Sequence, residues 1–332
     1  MHLDSVRGLK LELLRDILES LATDAQGIGS FDFGATSRRT LGHFFDTVGL
    51  GISPAGKDDY KLAVRVQRRG LQGHPLLADI SRRAYDEVDV RYVGRVFKLQ
   101  DDGFRRRQRP LRIGSSVGHN DVTAGTLSCF VETLDGLPGI LSNNHVLADE
   151  NRGSIGDPIL QPAPFDGGDA ERDRVASLTA FVSLKRDEPN FVDSAIAGLD
   201  EGIDFDAVTL IEDLQLAGSA DVAEAGAQEI EKLGRTSGRT RGRITAFDID
   251  NLTVAYDVGT LRFDNQIEVE SSGDGPFSLG GDSGSLVYIA ASGLGFGLLF
   301  AGSDQGGSNG LGVTYLNPLD AVLSALDVRL LT

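Results

Sequence analysis

Apolar residues recur at intervals of three and four at the start of the chain: Leu3, Val6, Leu13, Leu14, Ile17, Leu18 and Leu21, with charged residues between them. This spacing predicts an amphipathic helix over 3–21. The period then drops to two. Val48-Gly49-Leu50-Gly51-Ile52 and Tyr60-Lys61-Leu62-Ala63-Val64-Arg65-Val66 predict strands, followed by a helix near Leu76–Tyr85 and a strand at Val88–Leu99. Residues 1–110 are therefore expected to form a small α+β amino-terminal module.

From about Asp121, short apolar runs between turn residues predict strands at Ala124–Glu132, Gly139–Leu147, Pro158–Gln161, Val175–Leu184 and Ser194–Gly198. An Ala- and Glu-rich connection at Ile211–Glu229, helical or irregular, leads to a second series. That series comprises Lys232–Gly234, Arg243–Ile249, Thr253–Tyr256, Gln266–Val269, Ser285–Ile289 and Gly295–Ala301. Leu319, Val322, Leu323, Leu326 and Leu330 predict a closing helix from Pro318 to Leu331. Residues 111–332 thus read as a mainly β unit, two six-strand barrels at about 120–210 and 230–317 and a C-terminal helix. The 42 glycines and the lack of tryptophan agree with short strands and tight turns.

Composition narrows the setting. Cys129 is the single cysteine, so no disulfide can form within the chain, which points to a reducing compartment. Asp4, Arg7, Lys10, Glu12, Arg15 and Asp16 break up any apolar leader, and no apolar run reaches the ~18 residues a membrane span needs. A cytoplasmic protein without membrane contact is expected. A formal net charge of −17 argues against nucleic acid as partner. The basic run Arg105-Arg106-Arg107-Gln108-Arg109 reads as a solvated linker. No His/Cys cluster has metal-ligand spacing, so neither metal nor cofactor is expected.

Acyl transfer by a serine hydroxyl requires a base, a carboxylate that orients the base, and N–H donors for the oxyanion. Candidates for all four are present. In Gly280-Gly281-Asp282-Ser283-Gly284-Ser285 the glycines permit a turn in which the N–H groups of Gly281 and Ser283 converge as an oxyanion hole, with Ser283 as nucleophile. His145, in Leu141-Ser142-Asn143-Asn144-His145-Val146-Leu147, is placed at the end of an apolar strand. Asp193, in Phe191-Val192-Asp193-Ser194-Ala195-Ile196, enters another. Asp193 follows His145 by 48 residues and precedes Ser283 by 90, giving the order His, Asp, Ser of chymotrypsin-like enzymes rather than that of subtilisin-like or α/β-hydrolase ones.

These segments resemble the trypsin-like serine peptidases of the chymotrypsin clan, and most closely intracellular bacterial members related to the plant narrow-leaf-type peptidases. Gly118–Thr126, Gly156–Pro162, Leu233–Gly242 and the amino-terminal Gly49–Ile52 and Leu62–Val66 add to the likeness, which spans roughly 45–318. It implies a chymotrypsin-like double β-barrel, with His145 as general base, Asp193 as its orienting carboxylate and Ser283 forming an acyl-enzyme. The implied activity is that of an intracellular endopeptidase acting on proteins or peptides. The alternative is a catalytically silent scaffold or binding protein.

Three further features bear on this. The pocket for the residue on the acyl side of the scissile bond is expected from Phe277, six before Ser283, and from Ala301 and Gly302; with no aspartate at 277, an apolar or small residue is favoured. Arg112-Ile113 could be a cleavage site whose new ammonium pairs with Asp282, but an uncut chain with Asp282 paired internally is the better reading. Gly234–Gly242 lacks the Gly-Lys-Ser/Thr ending of a phosphate loop and reads as a glycine-kinked hairpin. The amino-terminal module could gate the peptidase through a regulatory partner or assemble homo-oligomers.

Overall fold

The computed structural model describes residues 1–23, 48–67, 75–93, 104–122 and 124–332, and the side chains of all of these except 17–23. Residues 94–99 of the strand predicted at 88–99 lie outside them, as do the side chains of Ile17, Leu18 and Leu21.

The amino-terminal part consists of helix α1 (Leu3–Thr23), strands β1 (Val48–Gly56) and β2 (Asp59–Val66), helix α2 (Pro75–Arg83) and strand β3 (Val88–Tyr92). β1 and β2 form an antiparallel hairpin, and β3 returns parallel to β2. Val6 and Leu13 of α1, alternate residues of β1 and β2, and Leu76, Leu77 and Ile80 of α2 share one buried cluster. The three-to-four spacing of the helices and the two-residue spacing of the strands aim these side chains at a common interior.

The first β unit contains β4 (Ser116–His119), β5 (Cys129–Glu132), β6 (Pro138–Ser142), the single-turn helix α3 (Asn144–Leu147), β7 (Pro158–Leu160), β8 (Arg174–Phe181) and β9 (Ala195–Leu199). Its strand order is β5-β6-β9-β8-β7-β4, with Gly125–Thr126 paired beyond β4. The second contains β10 (Ile230–Gly234), β11 (Gly238–Asp250), a hairpin of β12 (Leu252–Tyr256) and β13 (Gly259–Phe263), then β14 (Gln266–Ser271), β15 (Leu286–Ile289), β16 (Leu294–Ser303) and β17 (Val313–Pro318). Here the order β10-β15-β16-β17-β14-β11 closes on itself because β11 pairs back with β10. The fold is the mainly β, chymotrypsin-like two-barrel arrangement expected from sequence, with one difference. The second barrel closes with six strands, whereas the first sheet is a half-barrel whose ends do not pair.

The chain ends in α4 (Leu319–Leu326) and β18 (Arg329–Leu330). The predicted helix to Leu331 is too long: Asp327 takes a left-handed conformation at φ 53° and stops it, and β18 pairs with Glu132 and Val131 of β5. The basic run keeps Arg106 and Arg107 exposed but is not a free linker. Arg107 Nε lies 3.0 Å from Asp173, and Arg109 Nη1 donates to Gln161 Oε1 at 2.7 Å, so the segment is tied to the first unit.

The amino-terminal strands extend the second barrel. β1 pairs with β11, setting Leu50 opposite Asp250 and Ile52 opposite Phe247. The seam is locked by Arg65 of β2, fully buried, whose Nε donates to Glu268 of β14 at 2.7 Å while Nη2 reaches Asp89 at 3.0 Å. Thr245 and Tyr315 also donate to Glu268, so the buried charges are paired and hydrogen-bonded as burial requires.

Candidate catalytic site

His145 lies on α3 rather than on the strand the sequence predicts. β6 ends at Ser142, and Asn143 and Asn144 turn the chain, since their short amides bind backbone groups in competition with a strand. Asn143 Nδ2 donates to the Asp193 carbonyl at 2.7 Å, and Asn144 Nδ2 to the Val182 carbonyl at 2.8 Å. Both amides fasten the His145 helix to the segments around Asp193.

Asp193 is completely buried and satisfied from three sides. His145 Nδ1 lies 2.5 Å from Oδ2, the His145 backbone N–H donates to Oδ1 at 3.2 Å, and the Tyr256 hydroxyl donates to Oδ2 at 2.6 Å. Burial pushes this carboxyl up. The His145 charge, its hydrogen bond and the Tyr256 hydroxyl outweigh burial and hold the carboxyl below its ordinary value. An ionised carboxylate only accepts, so Nδ1 carries the ring proton and Nε2 is left as the base. The Asp193 N–H is in turn held by Asn317 Oδ1 at 2.9 Å.

The loop carrying Ser283 is brought to His145 across Gly125. A Cβ on Gly125 would lie 2.4 Å from Val146 and 2.9 Å from the Ser283 carbonyl oxygen, so only glycine lets α3 and the nucleophile loop meet here. Thr126 then clamps the loop: its N–H donates to the Ser283 carbonyl at 2.7 Å and its hydroxyl to the Gly281 carbonyl at 2.8 Å. The Thr236 hydroxyl holds the Gly280 carbonyl at 2.5 Å. In a trans peptide the C=O and N–H point in opposite directions, so pinning that carbonyl turns the Gly281 N–H the other way. Gly281 has φ 89°, a conformation open to glycine. The N–H groups of Asp282, Gly284 and Ser285 all donate within the chain, whereas those of Gly281 and Ser283 find no acceptor among the described residues. Ser283 Oγ is likewise buried without a partner and makes no hydrogen bond to His145. The two N–H groups can donate to a substrate carbonyl, and the hydroxyl can approach it, without first breaking internal bonds.

Asp282 is the anchor of this loop. Lys232 Nζ lies 3.2 Å from its Oδ2, and both side chains are fully buried. Four more donors converge on the carboxylate: the N–H groups of Thr236 (2.8 Å), Ser237 (3.1 Å) and Leu279 (2.9 Å) and the Ser237 hydroxyl (2.5 Å). Burial pulls the Lys232 ammonium below its usual value against the pull of Asp282. Gly234 makes room for the pair, since a Cβ there would lie 2.3 Å from Asp282 Oδ1. Asp282 therefore has its cation without a cut at Arg112-Ile113. That segment is held down as well, Leu111–Arg112 pairing as a short parallel strand with Phe205–Asp206 and Ile113 being buried.

The structure brings together His145, Asp193, Gly281 and Ser283. It places Phe277 elsewhere than in a pocket lining: the ring packs in the second barrel's core with Ile244, Val269 and Val287, filling the space that Gly242 leaves. Ala301 and Gly302 lie buried on β16. Gly234–Gly242 is a hairpin, as read from sequence, with Gly234 opposite Gly238. Cys129 is buried on β5, and burial pushes its thiol up to about 12. Among the described residues, no group of three or more His, Cys, Asp or Glu side chains could hold a metal ion. Lys232, Thr126, Thr236 and Tyr256 were not singled out by sequence.

No family model and no curated protein matches the chain. Among solved structures it is similar to a protease of Nocardiopsis (18% identity, TM-score 0.47, covering 68% of this chain and all of the other). A glutamic-acid-specific serine protease is similar at 20% identity and TM-score 0.47, covering 67% of this chain and all of its own. A chymotrypsin of Cellulomonas bogoriensis stands at 20% and 0.45, covering 68% and 100%. At such identities the chemistry of the site rests on the side chains described above.

Proposed function

We propose that the chain is a serine endopeptidase that cleaves protein or peptide substrates through Ser283, His145 and Asp193. The observation that carries this reading is the buried Asp193–His145 hydrogen bond at 2.5 Å, which leaves Nε2 as base, with an unpartnered Ser283 hydroxyl on the loop that meets the His145 helix at Gly125. Ser283 Oγ attacks the scissile carbonyl carbon as its proton passes to His145 Nε2. The N–H groups of Gly281 and Ser283 donate to the oxyanion. Collapse breaks the C–N bond, His145 gives its proton to the departing amine, and water hydrolyses the acyl-enzyme by the same route.

The single cysteine supports a cytoplasmic, reducing setting, and among the described residues no helix is long and apolar enough to cross a membrane. The affinity to intracellular bacterial relatives of the narrow-leaf-type peptidases rests on the sequence motifs. Ala301 and Gly302, with Phe277 withdrawn into the core, favour a small or apolar acyl-side residue. Gating by the amino-terminal module is supported by the continuity of its strands with the second barrel.

The test is covalent labelling by a fluorophosphonate probe. Wild type is expected to label at Ser283 and Ser283→Ala to lose both labelling and peptide hydrolysis while keeping its melting temperature. Absence of labelling in wild type would leave the silent scaffold as the reading.

A further inference from the structure

Tyr256 closes the site from a direction that neither the two barrel sheets nor the nucleophile loop supplies. It ends β12, in the hairpin β12–β13. Its hydroxyl donates to Asp193 Oδ2 at 2.6 Å, on the same oxygen that His145 engages, and its ring stands edge-on to the His145 ring at a centroid distance of 5.8 Å. The phenol is buried and stacked on Phe263. Burial, the Asp193 charge and the hydrogen bond all raise it well above its ordinary value, so it serves as a donor throughout the working pH range.

The hairpin is fastened at both ends. At its turn, the N–H groups of Asp257 and Val258 donate to Glu150 at 3.2 and 2.9 Å, and Arg186 holds the Val258 carbonyl. Glu150 is buried five residues after His145. At the other end the partners are amino-terminal. Gln67, just past β2, donates from Nε2 to the carbonyl and hydroxyl of Thr253 at 3.2 and 3.1 Å, and Asn251 Nδ2 donates to the Val48 carbonyl at 3.0 Å. Ala63 and Val93 share a buried cluster with Val254, Tyr256 and Phe263.

We infer that Tyr256 is a positioning residue, holding the Asp193 carboxylate against His145, and that the amino-terminal strands fix its place through the β12–β13 hairpin. The inference rests on the peptidase reading. It gives the amino-terminal module a physical line to the triad, running from Gln67 to Thr253, along β12 to Tyr256, and on to Asp193. The charged and titratable groups around the phenol are His145, Asp193 and Glu150, with Arg186 and the Arg152–Asp257 pair at the hairpin tip.

The experiment uses the full chain as wild type, Tyr256→Phe, Gln67→Ala and the double variant. Melting temperature, fluorophosphonate labelling and peptide kcat and KM are measured from pH 5 to 9. Tyr256→Phe is expected to lower kcat about tenfold with KM changed less than about twofold, the pattern of an interaction felt in the transition state. Its acid limb should move to higher pH, because a carboxylate relieved of one donor holds a protonated imidazole more strongly. Gln67→Ala, remote from the triad, should shift the same limb by less and add nothing to Tyr256→Phe, as for two links of one chain. An unchanged rate and profile in Tyr256→Phe, or full additivity in the double variant, overturns the inference while labelled wild type upholds the peptidase. Unlabelled wild type overturns both.

Discussion

If the buried Lys232–Asp282 pair organises the nucleophile loop, then Lys232→Met should damage both stability and reactivity. Methionine fills much of the same volume, so the perturbation is electrostatic: Asp282 keeps its burial and loses its cation. Breaking a buried ion pair by removing one partner costs roughly 3–5 kcal/mol. The low end applies here, because three backbone N–H groups and the Ser237 hydroxyl still reach the carboxylate. Lys232 also donates to the Ser237 hydroxyl and the Gly238 carbonyl, so its loss frees the turn that supplies three of those donors. At about 2–4 °C per kcal/mol, a loss of about 3 kcal/mol lowers the melting temperature by roughly 6 °C or more. Calorimetry reads the stability, and the rate of fluorophosphonate labelling reads the loop, since Asp282 is joined directly to Ser283. Adding Asp282→Asn should recover part of the lost stability by removing the orphaned charge, but not the labelling. Intact mass of labelled wild type is expected to be that of the whole chain. A Lys232→Met protein that melts within about 1 °C of wild type and labels at the same rate would refute the reasoning, as would label found only on a chain cut after Arg112.

Two other outcomes follow from the same geometry. Gly125→Ala inserts a methyl between Val146 and the Ser283 carbonyl, where contacts of 2.4 and 2.9 Å leave no room. It should cost about 1–3 kcal/mol by overpacking and slow labelling more than a remote variant of equal stability. On acidification, Asp89, Asp193, Glu231 and Glu270 decide the slope. Burial raises each, but Arg65 at Asp89, His145 at Asp193, Arg239 at Glu231 and Ser308 at Glu270 outweigh it, so all four lie below their unfolded values. Their stabilisation is therefore complete above the unfolded pKa and lost as pH falls through the folded ones. Asp264, raised by burial, acts in the opposite sense and offsets part of this. The melting temperature should be flat from about pH 7 to 5 and drop below about pH 4; a melting temperature that holds at pH 3 would contradict these assignments.

What sequence could and could not foretell divides along a physical line. Residues whose chemistry sits in a local motif were legible: Ser283 among glycines, His145 after an apolar run, Asp193 before one. Their order along the chain added what no single motif carried. The supports were not legible, because each is made of two ordinary residues far apart in sequence. Nothing local marks Tyr256, in a strand of alternating apolar residues, as the partner of a carboxylate 63 positions earlier. Lys232 and Asp282 share no pattern, and a buried lysine reads like an exposed one until the barrel closes around it. The same limit explains the errors. Periodicity carried the terminal helix on to Leu331 because Leu330 keeps the apolar spacing, while Asp327 turns that residue into a strand on β5. Counting back from Ser283 to Phe277 fixes a place on the loop but not the direction of the ring, and Gly242, 35 residues upstream, supplies the space into which that ring packs. The amino-terminal strands were recognised as strands, yet their alternation could not reveal that β1 would pair with β11. That pairing places Gln67 beside Thr253, so that the segment most easily read as a separate module is bonded to the hairpin that carries Tyr256.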